Sequence, residues 1–429
     1  MVIVAGLERM TFEVLRTLRQ RGAAVHCIVN NWENHRIVAL ADQIGASWST
    51  GYYRVGFGRR LFNPLYLAKF LWDVAMTSLG LLRDAWRFRP THVLLTDFVA
   101  VLKNAPALVL LRGLGVKAVL RLGNAPEAGR LHQLIWRWAV SPTVDRFVCN
   151  SRFTTQELLA HGVPAAKVSY IYNTVPYRQP SDNAANESQR DPNKVIYVGQ
   201  IIPPKGLDLL IEAIAILVNR DFDVRLDVVG NIDGWESPAY AGYRQSLLDR
   251  AAQPDLAGRV TFLGWREDVP ALLAQAGVHC CPSRPEQKEG FGVVNIEAKQ
   301  AGIPSVVFPT GALPELIAHR VDGWVCSEVT AAALAEGIEY FLSDSTRREQ
   351  AGQLARHSVE RFSPERFADG WWAVFGILGE QEAEGDLLVA ADDFVLVSSD
   401  KLADDPVSTC EAGVSIKPGV KQRGTPGES

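Results

Sequence analysis

Glu289-Gly290-Phe291-Gly292-Val293-Val294-Asn295-Ile296-Glu297 sets two carboxylates on either side of a glycine-flanked turn, where a loop gives way to a helix. Upstream, Val278-His279-Cys280-Cys281 reads as a short buried strand, ended by Pro282, Ser283 and Pro285. Downstream, Ala298, Ala301 and Gly302 are small enough to let a helix lie close on a sheet, and Pro304-Ser305-Val306-Val307-Phe308 resumes as a strand. A helix opening at Gly292 aims its unpaired amides at the strand–helix crevice, which favours phosphate or another anion. Glu289 stands at the same mouth and would repel phosphate; it suits hydrogen bonds from hydroxyls, as a sugar offers. The plainer alternative is a tight turn with two solvated glutamates.

A second pattern lies about 90 residues earlier. Val195-Ile196-Tyr197-Val198-Gly199-Gln200 reads as a strand delivering a glycine, and Pro203-Pro204-Lys205-Gly206 then places a lysine at a helix start. A point charge there neutralises charge building on a departing diphosphate; the rival reading is a solvated surface lysine. Around these patterns strand-like and helix-like runs alternate, which means βαβ units and parallel sheets. In the first half the strands are expected at Met1–Val4, Val25–Val29, His92–Thr96, Lys117–Leu122, Asp145–Cys149 and Val168–Tyr172, with helices at Glu8–Arg21, Val99–Leu114 and Glu127–Val140. Thr154-Thr155-Gln156-Glu157 has capping-box spacing, and Gly162 follows as a C-terminal cap. Gln179–Asn193 is polar and carries two prolines, so it reads as a linker. The second series has strands at Val195–Val198, Val224–Val229, Arg259–Leu263, Val278–Cys281 and Ser305–Phe308, and a helix Gly206–Arg220 with Leu207, Leu210, Ile211, Ile214 and Leu217 on one face.

Length and composition agree. A chain of 429 residues, 47% apolar and 21% charged, holds two α/β domains rather than a disordered or fibrous protein. Six cysteines, at 27, 149, 280, 281, 326 and 410, show no CxxC pairing, which points to a reducing, cytoplasmic compartment and away from zinc or disulfides. Met1–Gly6 lacks the basic and apolar regions of a secretory signal. Residues 1–180 carry 22 Lys and Arg against 10 Asp and Glu, a net +12, which leaves −16 for the rest of a chain whose total is −4. A basic first half suits an anionic partner, and none of its patterns points to nucleic acid. Leu61–Leu82 contains Lys69 and Asp73, which a lone spanning helix tolerates poorly. Flanked by Arg59-Arg60 and by Arg83, Arg87 and Arg89, and holding Phe62, Leu65, Tyr66, Phe70, Leu71 and Trp72, it reads either as an interfacial anchor or as an ordinary sheet-packed helix.

The run from Pro282-Ser283 through Glu289 and Glu297 to Gly302-Ile303-Pro304 and Gly311-Ala312-Leu313-Pro314-Glu315-Leu316-Ile317 resembles the retaining glycosyltransferases of family 4. These carry two glutamates with seven residues between them at the donor site, then a glycine-rich turn with a Pro-Glu pair. The likeness covers roughly residues 1–378. It implies an α/β fold of two Rossmann-like domains facing across a cleft (GT-B) with a C-terminal crossover helix. In this chain that means an acceptor domain at 1–178, a linker at 179–193, a nucleotide-sugar domain at 194–362, the crossover helix at 363–379, around Phe367, Trp371, Trp372 and Phe375, and an acidic, disordered tail at 380–429.

By the same resemblance the donor is a UDP-, GDP- or ADP-sugar, and no metal or cofactor is needed. The acceptor is a glycan or lipid-linked saccharide, met at the inner membrane face through the basic half. Glu289 would bind hydroxyls of the transferred sugar and Glu297 the ribose, while the amides of Phe291, Gly292 and Val293 would meet the phosphates. Lys205 would be catalytic, with Gly199 beside it. Gln200 stands where the family has arginine, and Asn124 or Arg121 where many members place a histidine near the reacting sugar. The Gly6-Leu7-Glu8-Arg9 turn would approach the acceptor or the diphosphate. Trp265, after a strand, either stacks on a base or packs, with packing preferred. Eight helical steps from Glu289 to Glu297 would span roughly 12 Å, wider than the roughly 5–9.5 Å of paired glycosidase carboxyls, so these two are not an acid–nucleophile pair. Two rival readings remain. One is a catalytically weak binding subunit, suggested by Gln200 and the missing histidine; the other is a sugar-nucleotide epimerase. A dehydrogenase is disfavoured, since no GxGxxG follows the first strand.

Overall fold

The computed structural model describes residues 6–30, 34–52, 64–175, 190–232 and 238–376. The expected strand Met1–Val4, the acidic tail, Arg59–Phe62 and most of the linker fall outside these residues.

Among the described residues the N-terminal half has two parallel sheets. One pairs β1 (His26–Asn30) with β2 (Ser47–Gly51). The other orders β3 (His92–Leu95), β4 (Lys117–Leu122), β5 (Arg146–Cys149) and β6 (Val168–Tyr170) side by side. β4 is buried from Ala118 to Leu122, the near-continuous burial of a strand covered on both faces. Its alternation sorts the layers. Ala118, Leu120 and Leu122 join a core with the helices Pro64–Phe88 and Phe98–Gly113 and with Trp136 and Val140. Val119 faces the other way, onto Val14 and Leu18 of the helix Gly6–Gln20 and onto Phe367 and Trp371 of the helix Pro364–Val374. That last helix crosses back from the end of the C-terminal half, its Ser363 hydroxyl capping the Arg366 amide at 3.3 Å.

The C-terminal half is one six-stranded parallel sheet: β7 (Asp191–Val198), β8 (Arg225–Val229), β9 (Val260–Gly264), β10 (Ala276–Cys281), β11 (Ser305–Val307) and β12 (Gly323–Val325). They lie in the order β12-β11-β10-β7-β8-β9. The strand order reverses between β7 and β10, and the carboxyl ends of strands at such a switch point are the usual ligand position of these sheets. Every residue of β10 is buried, including His279, whose Nδ1 lies 3.0 Å from the Ser305 hydroxyl and whose pKa burial drives down to about 3.

Several expectations shift. β7 begins at Asp191, so the last three residues of the expected linker 179–193 are strand. β2 and β12 had no apolar run long enough to announce them. The helix after β5 is capped by Ser151, which accepts from the Thr154 amide at 3.1 Å, not by Thr154; Glu157 instead pairs with Lys288. Gly162 does follow that helix in the left-handed region, at φ 82°. The Gly6–Arg9 segment is the first turn of a helix rather than a loop. The expected helix Glu127–Val140 opens at Arg130 and passes into a π-helical turn at Trp136–Val140.

Candidate functional site

The two loops at the switch point are pressed together. After β7 the chain makes a tight turn at Pro203–Lys205, and Gly206 closes it at φ 70°. A Cβ on Gly206 would sit 2.0 Å from the Pro282 carbonyl oxygen after β10, so only glycine allows the approach. Arg284 staples the same loops: its amide donates to the Pro204 carbonyl at 2.8 Å and its guanidinium to the Pro203 carbonyl at 3.1 Å and to Asp208 at 2.5 Å. The approach delivers Lys205 to Glu289, with Nζ 2.5 Å from Oε2. The Ser283 hydroxyl donates to the same oxygen at 2.9 Å, and the Thr310 hydroxyl holds the Ser283 carbonyl at 2.7 Å.

The lysine and the glutamate are nearly buried, at 18% and 13% side-chain exposure, so their charges interact in a weakened solvent field. Burial opposes the Lys205 charge, but the attraction of Glu289 and its hydrogen bond outweigh it and lift the lysine's pKa. The Cys281 thiol beneath is pushed up, by burial first and by the Glu289 charge second.

Beyond Glu289 the chain turns through Gly292, at φ 76°, into the helix Val293–Gln300. The Asn295 amide donates to the Gly292 carbonyl at 3.0 Å; the amides before it belong to the helix start, where no intrahelical acceptor is available. The Phe291 ring is 2% exposed and packs on Tyr172 and Phe362, which leaves only its backbone for a ligand. Glu297 lies half-buried one turn into the helix. Since the helix starts at Val293, only four of the eight steps from Glu289 are helical, and helical rise does not fix the carboxylate separation expected from sequence. Gly199 donates its amide to Val229 at 3.0 Å, and Gln200 is exposed, its carbonyl taken by the Tyr197 hydroxyl at 2.7 Å.

The N-terminal half meets this loop directly. A Cβ on Gly290 would lie 2.2 Å from the Gly123 carbonyl oxygen and 3.3 Å from Asn124 Cα. Exposed Asn124 therefore stands beside the Glu289 loop, where the cleft is narrowest. Arg121 does not reach it. It is 2% exposed, and its guanidinium donates to the Thr11 hydroxyl at 3.3 Å and to the Asn173 side-chain amide oxygen, Oδ1, at 3.1 Å, inside the half that carries it. Trp265 is 60% exposed, with the Arg9 guanidinium of the opposite half 6.0 Å from its ring centre, so the expected packing is not what the fold gives it.

Sequence reasoning missed Ser283 and Glu315 as working parts. The Glu315 carboxylate accepts the Arg152 and Phe153 amides, each at 3.1 Å, and so caps the helix Arg152–Ala160 from across the halves; the Tyr172 hydroxyl joins it at 3.2 Å. The Pro-Glu pair was visible in sequence, but its partner lies 163 residues away.

Comparisons with known proteins agree with this geometry. Residues 4–179 match the model described as Glycosyltransferase Family 4, and residues 179–358 match Glycosyl transferases group 1. A D-inositol 3-phosphate glycosyltransferase of Segniliparus rotundus is 29% identical over 262 residues, 59% of this chain; the chain spans about half the length of that relative, 56%. An uncharacterised glycosyltransferase of Methanocaldococcus jannaschii is 26% identical over 381 residues, 81% of this chain and 92% of its own. The crystal structure of Anabaena HepE in complex with UDP superposes with a TM-score of 0.66 at 19% identity, over 88% of this chain and 97% of that one. With two family models joined end to end at residue 179, on two Rossmann-like halves that meet at Gly290, the chain belongs to the family 4-like glycosyltransferases of GT-B fold.

Proposed function

We propose that the chain moves a sugar from a nucleotide diphosphate donor to an acceptor hydroxyl, with retention at the anomeric carbon, in polysaccharide or lipid-linked glycan synthesis. The observation that carries this is the Lys205–Glu289 contact at the switch point, beside the opening amides of the helix Val293–Gln300. An ammonium and a set of amides suit a diphosphate, and a carboxylate suits sugar hydroxyls. Lys205 leaves Glu289 for the incoming phosphates, and Glu289, still held by Ser283, turns its freed acceptor capacity to the sugar. Glu297 binds the ribose hydroxyls, and the open face of Trp265 is available to the base. UDP, which the HepE structure contains, is the first donor nucleotide to try, before GDP and ADP.

In the reaction the bond from the anomeric carbon to the phosphate oxygen breaks and its electron pair leaves with the diphosphate. The acceptor oxygen bonds to the same face, and its proton passes to an oxygen of the departing phosphate. Lys205 and the helix amides stabilise the charge that develops there. This scheme asks for no protein nucleophile and no histidine at Asn124, and Lys205 supplies charge that a metal would otherwise bring. The acceptor docks on the basic N-terminal half, and the cysteine usage supports a cytoplasmic setting.

The test supplies UDP-, GDP- and ADP-sugars with saccharide acceptors and follows donor consumption and product configuration, with and without EDTA. Retention and indifference to EDTA are expected; an inverted product sinks the mechanism, and calorimetric silence toward all three diphosphates sinks the donor site. A second reading, a binding subunit with little turnover, draws on the exposed, uncharged Gln200. It predicts that Glu289→Ala leaves cellular function intact.

A further inference from the structure

The helix Pro64–Phe88 turns much of its polarity inward. Asp73, Thr77, Ser78 and Asp84 are buried on its protein-facing side, together with Leu81 and Ala85, which join the core. Asp73 pairs with Lys103 of the neighbouring helix at 3.4 Å, and the Thr77 and Ser78 hydroxyls both donate to the Lys103 carbonyl, at 3.0 and 3.1 Å. The Ser49 hydroxyl holds Asp84 at 2.8 Å. The outward side is apolar. Leu65, Trp72, Leu79 and Trp86, spaced seven apart, are 79%, 60%, 62% and 79% exposed. Ala68 and Ala75 are exposed between them, which makes one stripe along the whole helix.

The next two helical segments extend that surface. Leu110 of Phe98–Gly113 is 58% exposed, and Leu134 and Trp138 of the Arg130–Val140 segment are 55% and 68% exposed. All three segments cover the same face of the β3–β6 sheet, so these side chains lie on the outer side of one layer. The only carboxylates within the three segments, Asp73 and Asp84, are turned inward, while Lys69, Arg87, Arg130 and Arg137 are exposed.

We infer that this layer docks on an anionic lipid bilayer. A soluble domain does not leave so wide an apolar area uncovered, and Trp and Leu with flanking cations are what a membrane–water interface takes up. A second copy of the chain is the rival occupant, since seven-residue spacing also suits a helix partner. Self-pairing would bring four exposed cations against their copies, and a helix partner would leave Leu110 and Trp138 uncovered. Pro64–Phe88 has the length and composition to cross a membrane, but hydrogen bonds commit its polar face to the domain, so it lies along the surface. The inference is independent of the donor site.

The experiment sediments the full chain with vesicles of phosphatidylcholine alone or mixed with phosphatidylglycerol. The wild type pellets with the mixed vesicles, and its tryptophan emission shifts to the blue. The variant Trp72→Ser/Leu79→Ser/Trp86→Ser partitions at least about tenfold more weakly with an unchanged melting temperature. Lys69→Gln/Arg87→Gln/Arg130→Gln/Arg137→Gln loses the preference for phosphatidylglycerol. A wild type that stays in the supernatant, or an apolar-stripe variant that pellets equally, overturns the inference. So does sedimentation velocity showing a dimer that the stripe variant dissolves.

Discussion

The helices Leu207–Val218 and Pro64–Phe88 both flank parallel sheets, with opposite sides turned in. The first buries Leu207, Leu210, Ile211, Ile214 and Leu217 completely against β7, β8 and β10. Each such side chain contributes about 1.5–3 kcal/mol by leaving water. The second buries two carboxylates and two hydroxyls beside Leu81 and Ala85, and exposes Leu65, Trp72, Leu79 and Trp86. Polar burial of that kind adds little net stability; it fixes how two helices fit and penalises the loss of any one partner. The C-terminal half is thus one parallel sheet with the apolar faces of its helices turned in, and the N-terminal half leaves a stripe of apolar side chains on its surface.

The sharpest way to break this contrast is Lys103→Met, which strands Asp73 without its cation. A loss of about 3–5 kcal/mol in denaturant unfolding is expected, with much of it recovered when Asp73→Leu is added; a near-neutral single variant would show that the pair does not hold the helices. Leu210→Ala in the C-terminal helix is next, at about 2–5 kcal/mol for a cavity in a core that cannot collapse.

Lys205→Ala carries the comparison to function. A fall in kcat/KM of about 10²–10³-fold is expected, typical of removing one charge-stabilising group, while the vesicle partition stays at the wild-type level. The pH profile follows from the raised Lys205 pKa. The lysine's paired charge is fully present below its ordinary value of 10.5 and is lost only as pH rises through the higher folded value. Activity that titrates with this lysine near neutrality would contradict the Glu289 pairing. The smallest effect belongs to Leu79→Ser: on the outer stripe it should change stability by no more than about 0.5 kcal/mol, and a loss near that of Leu210→Ala would mean that the exposed face is packed after all.

Much of the local geometry around the candidate site could be read before the fold was known, because its parts are local. A strand ending at Gly199, a lysine after two prolines, and a glutamate three residues before a positive-φ glycine are each decided within a few residues. β4 was placed to the residue because Ala118-Val119-Leu120 and Leu122 make a nearly continuous apolar run, interrupted by Arg121. β2, Ser-Trp-Ser-Thr-Gly, was missed because it is mostly exposed and has no such run. The cap of the helix Arg152–Ala160 was misplaced because Ser151 and Thr154 both satisfy the local pattern, and the choice between them depends on where Glu315 arrives.

The amino-acid order by itself determined two alternating α/β series, the turn chemistry at Gly206 and Gly292, and the residue types gathered at the candidate site, since backbone sterics and side-chain periodicity act over short distances. Only the tertiary structure decided that Lys205 touches Glu289, that Gly290 rests on Gly123, that Arg121 turns away from the cleft, and which side of Pro64–Phe88 faces out. These depend on contacts between segments tens to hundreds of residues apart, and a helix with one polar and one apolar side does not state which of them its neighbours will cover.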